Sequence, residues 1–126
     1  MQNHSFPCYG TIQGTILIIG YGSIGQGMLP IIKRHFNYDR ICIIDPVEEG
    51  PNDPDIKFEK IGLSVDNYKG ILDRIFGEKK GFCVNVSVQT SSKDILVYCQ
   101  SKDILYIDTV VEEWEGFYSN SESPLG

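Results

Sequence analysis

The sequence predicts an α/β fold with a doubly wound, mainly parallel sheet. Three observations carry this. Short, wholly apolar runs such as Ile16-Leu17-Ile18-Ile19 suit strands buried on both faces. Amphipathic helical segments alternate with those runs. A glycine turn, Gly20-Tyr21-Gly22-Ser23-Ile24-Gly25, joins the first apolar run to the first helical segment.

The elements follow in order. Residues 1–14 are expected to form an irregular lead-in, and Thr15 to Ile19 the first strand. Ser23 to Phe36 reads as a helix, because Ile24, Met28, Leu29, Ile31, Ile32 and Phe36 recur at helical spacing. Pro30 lies inside it, removes one backbone bond and should bend it. Arg40 to Asp45 is a second buried strand, and Val47 to Asp55 a loop rich in Pro, Gly, Asn and acid. Ile56 to Ile61 forms a short strand. Ser64 or Asp66 then caps a helix running to Phe76, with Tyr68, Ile71, Leu72, Ile75 and Phe76 turned inward. Phe82 to Val86 is the fourth strand. Ser91 or Ser92 caps a helix to Ser101, with Ile95, Leu96, Tyr98 and Cys99 inward. Ile104 to Asp108 is the last strand. Right-handed crossovers give the strand order 3-2-1-4-5, a Rossmann-like sheet. One domain is expected over 15–118. The polar stretch 119–126 reads as disordered, or as cut away from whatever it belongs to.

Composition narrows the function. The 126 residues suffice for one domain and one core. A net charge of −6 argues against a nucleic-acid partner, which needs clustered Lys and Arg. Lys33, Arg34 and His35 form the densest basic cluster, and a helix end explains them. The longest apolar run is too short to span a bilayer, and Met1 to Pro7 has no signal-peptide pattern. Cys8, Cys42, Cys83 and Cys99 contain no Cys-x-x-Cys pair, so no metal site is expected. Cys42 and Cys83 lie in strand-like runs and read as buried thiols, which fits a cytoplasmic, reducing setting.

The glycine turn carries the chemistry. It follows a buried strand, opens an amphipathic helix, and has Asp45 at the end of the next strand. Gly20 permits the tight turn, and Gly22 lets the backbone approach a pyrophosphate. Gly25 lets the helix pack closely. Ser23 and Ile24 open the helix, whose free N–H groups bind phosphate. Asp45 can accept hydrogen bonds from the adenosine ribose hydroxyls, and it would repel a 2′-phosphate. No Arg stands close behind it in the chain to receive such a phosphate, so the expected cofactor is NAD rather than NADP. Asn85 and Ser87 follow the fourth strand, and Asp108 and Thr109 end the fifth. Loops at the carboxyl ends of strands line the ligand crevice, so all four are candidate cofactor contacts. A polar cap for the next helix is the structural alternative for the Asn85 to Ser92 stretch. Glu112, Glu113 and Trp114 place carboxylates beside an indole, which suits a cationic amine. A solvated acidic turn with a packing Trp is the alternative there.

Several of these stretches together resemble the bacterial homospermidine synthases, relatives of the saccharopine dehydrogenases. They are Ile16 to Gly27, Leu29-Pro30, Arg34-His35-Phe36, Asn85 to Val88, Leu105 to Trp114 and Gly116-Phe117-Tyr118. The Tyr106-Ile107-Asp108-Thr109 stretch with its downstream Glu and Trp is the most specific. The resemblance implies a transferase of polyamine biosynthesis acting on putrescine or spermidine. An amine carbon is oxidised with NAD, ammonia leaves, an imine forms with a second amine, and the retained NADH reduces it to homospermidine. It also implies that Asn85 lies near the cofactor and that Glu112 lies by the amine pocket, Glu112 being the one candidate catalytic group and Trp114 its neighbour at the substrate site. The family usually has Pro where this chain has Glu113. Family members run for several hundred residues and are expected to dimerise. The chain is therefore expected to be their N-terminal NAD-binding part, inactive alone. Two alternatives stand beside this: a stand-alone NAD-sensing regulatory module, and another saccharopine-dehydrogenase-like oxidoreductase acting on a carboxylated amine. The second should need an Arg near the crevice, and none occurs after Arg74.

Overall fold

The computed structural model describes residues 10–87 and 92–108. The run Ile16-Leu17-Ile18 sits at the centre of the sheet with no exposed surface. It belongs to β1 (Gly10–Ile19), which is followed by α1 (Ser23–His35), β2 (Phe36–Ile44) and β3 (Ile56–Glu59). Then come α2 (Tyr68–Phe76), β4 (Gly81–Asn85), α3 (Ser92–Ser101) and β5 (Leu105–Asp108). The five strands are hydrogen-bonded in the order β3-β2-β1-β4-β5, and every pairing is parallel. This is the order that right-handed crossovers dictate.

Alternation along the strands builds two cores. Ile16, Ile18, Ile41, Ile43 and Val84 face α1, which supplies Leu29 and Ile32. Leu17, Ile19, Cys42, Ile44 and Cys83 face α2 and α3, which supply Leu72, Ile75, Phe76, Ile95 and Cys99. Each fully buried aliphatic side chain contributes about 1.5–3 kcal/mol by leaving water. The two cores therefore fix the sheet between its helices.

Several elements differ from the sequence expectation. β1 begins at Gly10, not Thr15, so 10–14 are strand rather than lead-in. Polar residues hid this, because Gly10, Thr11 and Ile12 pair with Phe36, Asn37 and Tyr38 beyond a register shift between Ile12 and Thr15. Gly14 makes that shift possible: its φ is +97°, and a Cβ there would lie 2.0 Å from the Lys80 carbonyl oxygen. Phe36 opens β2 instead of ending α1, because its extended backbone pairs with Gly10. α2 begins at Tyr68, because Ser64 to Asn67 form a turn in which the Asn67 side chain accepts the Ser64 N–H at 2.7 Å. β3 stops at Glu59. On α1 only the stripe of Gly25, Leu29 and Ile32 is buried, whereas Ile24 and Ile31 are each 52% exposed. On α3, Leu96 also turns outward. Both helices meet the sheet along a narrower stripe than their apolar residues would cover. No helix among the described residues is long and apolar enough to cross a membrane.

Candidate dinucleotide-binding site

The carboxyl ends of the strands place the candidate residues at one end of the sheet. At the end of β1 the backbone is held on both sides. The Val86 N–H donates to the Ile19 carbonyl at 2.9 Å, and the Gly20 N–H donates to the Ile44 carbonyl at 2.8 Å. The glycine turn thus leaves the sheet between the ends of β2 and β4.

Its three glycines meet different demands. Gly20 has φ +99°, and a Cβ there would lie 2.9 Å from the Ser87 nitrogen. Gly25 faces the turn itself, since a Cβ would lie 2.4 Å from the Gly20 carbonyl oxygen. Gly22 has an extended backbone, and a Cβ there would meet nothing within 4 Å. Two glycines therefore close the turn, and the third leaves its outer side open. Gly22 is also the N-cap of α1. No side chain caps it, and no acid stands in the first turn. Among the described residues no side chain caps the opening N–H groups, those of Ser23 and Ile24 included, which suits an anion.

Tyr21, between the first two glycines, is an anchor. Its ring packs edge-on against Phe58, centroids 6.1 Å apart. Its carbonyl accepts from Gln26 Nε2 at 3.0 Å.

Asp45 closes the second side of the site. It follows β2 and is 8% exposed. Its Oδ2 accepts the Tyr21 N–H at 2.7 Å. Its Oδ1 accepts the N–H groups of Val47 at 2.8 Å and Glu48 at 2.7 Å. Burial alone would raise its pKa, but the N–H groups of Glu48, Tyr21 and Val47, with Lys60 nearby, hold the carboxyl below its ordinary value. It is a charged group with three of about four acceptor directions taken. Among the described residues no donor takes the remaining direction, which is left for a ligand hydroxyl.

Asn85 is buried at 1% exposure at the end of β4. Its Oδ1 accepts from the Ser87 N–H at 3.1 Å and from Ser87 Oγ at 2.8 Å. Its Nδ2 donates to Tyr106 Oη at 3.1 Å. Burial raises the Tyr106 hydroxyl pKa, and hydrogen bonds from Asn85 and Ser92 oppose that. Asn85 thus braces the loop that presses on Gly20. Asp108 is its Cα partner at the end of β5. The structure therefore brings Gly20, Gly22, Ser23, Ile24, Gly25, Asp45, Asn85, Ser87 and Asp108 to one end of the sheet. Thr109, Glu112, Glu113 and Trp114 lie outside the described residues.

These residues fit a dinucleotide. The open side of Gly22, the uncapped start of α1 and the remaining acceptor of Asp45 are what a pyrophosphate and an adjoining ribose require. Reading the sequence missed three parts: the Tyr21 anchor, the local turn of Asp45 and the Tyr106 brace. The pair Asp45-Pro46 was the available signal for a side chain folded onto its own turn. Strand alternation was the signal for Tyr106, on the face opposite Leu105 and Ile107.

Comparison with known proteins agrees with this geometry. A family model described as the saccharopine dehydrogenase NADP binding domain matches residues 16–125. The chain is 42% identical over 130 aligned positions to a homospermidine synthase of Mesorhizobium japonicum, covering 98% of this chain and 27% of that protein. It is 45% identical over 120 positions to a homospermidine synthase of Blastochloris viridis, covering 90% of this chain and 25% of that protein. The chain thus spans about a quarter of the length of the curated relatives it matches. A parallel sheet in Rossmann order, a glycine turn closed by backbone contact, and a family match over most of its length lead to one conclusion: the chain belongs to the saccharopine dehydrogenase NADP binding domain family.

Proposed function

We propose that this chain binds NAD and is the NAD-binding part of a homospermidine synthase. The observation that carries the cofactor reading is Asp45, a buried, ionised carboxylate at the end of β2 with one acceptor direction left. A ribose hydroxyl can donate to it, whereas a 2′-phosphate would meet a like charge. The family description names NADP, and Asp45 supports NAD instead. The residues that would hold the cofactor are Gly20, Gly22, Ser23, Ile24 and Gly25 at the pyrophosphate. Asp45 would take the ribose, with Ser87, Asp108 and Thr109 along the crevice and Asn85 beside it.

When bound, NAD supplies a hydride acceptor and, once reduced, a hydride donor. This chain's own residues bind and orient it. The two relatives are named homospermidine synthases, and in this reading the amine substrate is putrescine or spermidine. Glu112 would pair with the cationic amine and Trp114 would offer its indole face. The chain alone is inactive in this reading, since the proposed reaction also needs groups from the rest of such an enzyme. Homodimerisation would likewise belong to the longer protein. The buried free thiols of Cys42, Cys83 and Cys99 support a cytoplasmic setting.

The test is a chimera in which this chain replaces the matching region of the Mesorhizobium enzyme. NAD-dependent homospermidine formation from putrescine is the expected result. A chimera that folds and binds NAD yet forms none would count against the polyamine reading. Turnover by the 126-residue chain alone would contradict its inactivity.

A further inference from the structure

Asp45 makes more bonds within the protein than a ribose ligand needs. Two of its three acceptor bonds are local, to Val47 and Glu48, and belong to an Asp-Pro turn. The third spans 24 positions and reaches the Tyr21 N–H at 2.7 Å. Tyr21 stands between Gly20 and Gly22. Glycines on both sides give the free chain its widest conformational choice and make ordering it most costly. The folded turn is pinned at three points on that residue. Asp45 holds its N–H, Gln26 holds its carbonyl, and Phe58 packs against its ring. Among these pins only the carboxylate is charged, and a charge-assisted bond is roughly twice as strong as a neutral one.

We propose that Asp45 is a positioning residue: its carboxylate fixes the Tyr21 peptide, and so sets the glycine turn for a pyrophosphate before the cofactor arrives. The inference rests on the dinucleotide reading and deepens it. A ribose ligand acts only on the ribose. A carboxylate that sets the turn also acts on phosphate binding, whatever the ribose carries.

The experiment is a cycle between Asp45→Asn and the ligand, using the 126-residue chain. The probes are NAD and an analogue lacking both hydroxyls of the adenosine ribose. The Asn oxygen can still accept from Val47 and Glu48, but its amide then turns a donor toward the Tyr21 N–H. The expected result is an affinity loss of about tenfold that persists with the analogue. A loss seen with NAD that vanishes with the analogue would overturn the positioning role and leave Asp45 a ribose ligand. A second measurement needs no variant. In the ligand-free wild type the Tyr21 amide should exchange slowly, and its proton resonance should shift as Asp45 titrates. Fast exchange with no such shift would also overturn the proposal. Wild-type chain that binds neither probe would overturn the dinucleotide reading itself, while the Tyr21 amide still reports on the pin.

Discussion

Gly20 and Ser87 are in backbone contact: a Cβ on Gly20 would lie 2.9 Å from the Ser87 nitrogen. The glycine turn is therefore packed against the β4 loop before any ligand is considered, and its glycines separate into structural and functional ones. Gly20→Ala should destabilise the fold by about 1–3 kcal/mol, from its positive φ and the collision. Gly22→Ala adds a methyl group into open space and should change stability by no more than about 1 kcal/mol. It should nevertheless weaken NAD binding, because the methyl group stands where the pyrophosphate would approach. Urea unfolding and NAD titration of both variants separate the two effects.

Asn85→Ala should be costly although its side chain is polar. It removes the Asn85 bonds to Tyr106 Oη and the Ser87 N–H, both part-buried, and empties the space of a side chain that is itself 1% exposed. A loss of about 1–3 kcal/mol in urea unfolding is expected. A loss of NAD affinity should accompany it, since the β4 loop supports Gly20.

Stability should fall on acidification in a way that Asp45 helps to set. Its folded pKa lies below the ordinary carboxylate value of about 3.9. A group depressed on folding stabilises the protein above its unfolded pKa, and that contribution is lost as pH falls through the folded pKa. Glu59 acts in the same direction, held down first by its hydrogen bond from Arg74. Urea midpoints measured from about pH 6 down to about pH 3 should therefore decline, and less steeply in Asp45→Asn. Equal slopes in the two proteins would contradict the bonding described for Asp45.

The apolar residues of α1 should not contribute alike. Leu29→Ala should cost about 2–5 kcal/mol, because Leu29 is buried against the sheet. Ile24→Ala and Ile31→Ala should each stay within about 0.5 kcal/mol, since both side chains are half exposed. Thermal or urea unfolding of the three variants checks this.

The sheet was legible in the sequence because its signal is local. Ile16 to Ile19 and Ile41 to Ile44 are unbroken apolar runs, and right-handed crossovers do the rest. The ends of the elements were less legible. The pairing of Gly10 to Ile12 with Phe36 to Tyr38 depends on Gly14, whose close approach to Lys80 joins residues far apart in the chain. The inward stripe of α1 was overcounted, because helical spacing does not say how wide a face the sheet will cover. At the site, the glycine turn and Asp45 were readable as a motif. That Asp45 also binds the Tyr21 N–H was not, since the two lie 24 positions apart. Asn85 was placed at the right end of the sheet, yet its bonds to Ser87 and Tyr106 make it a brace.

The most direct measurement is calorimetric titration of the 126-residue chain with NAD and with NADP, beside Asp45→Ala. NAD should bind at least about tenfold tighter than NADP, as expected for a like charge set against a 2′-phosphate. Asp45→Ala should lose most of that preference. Equal affinities in the wild type, or tighter binding of NADP, would contradict the role given to Asp45.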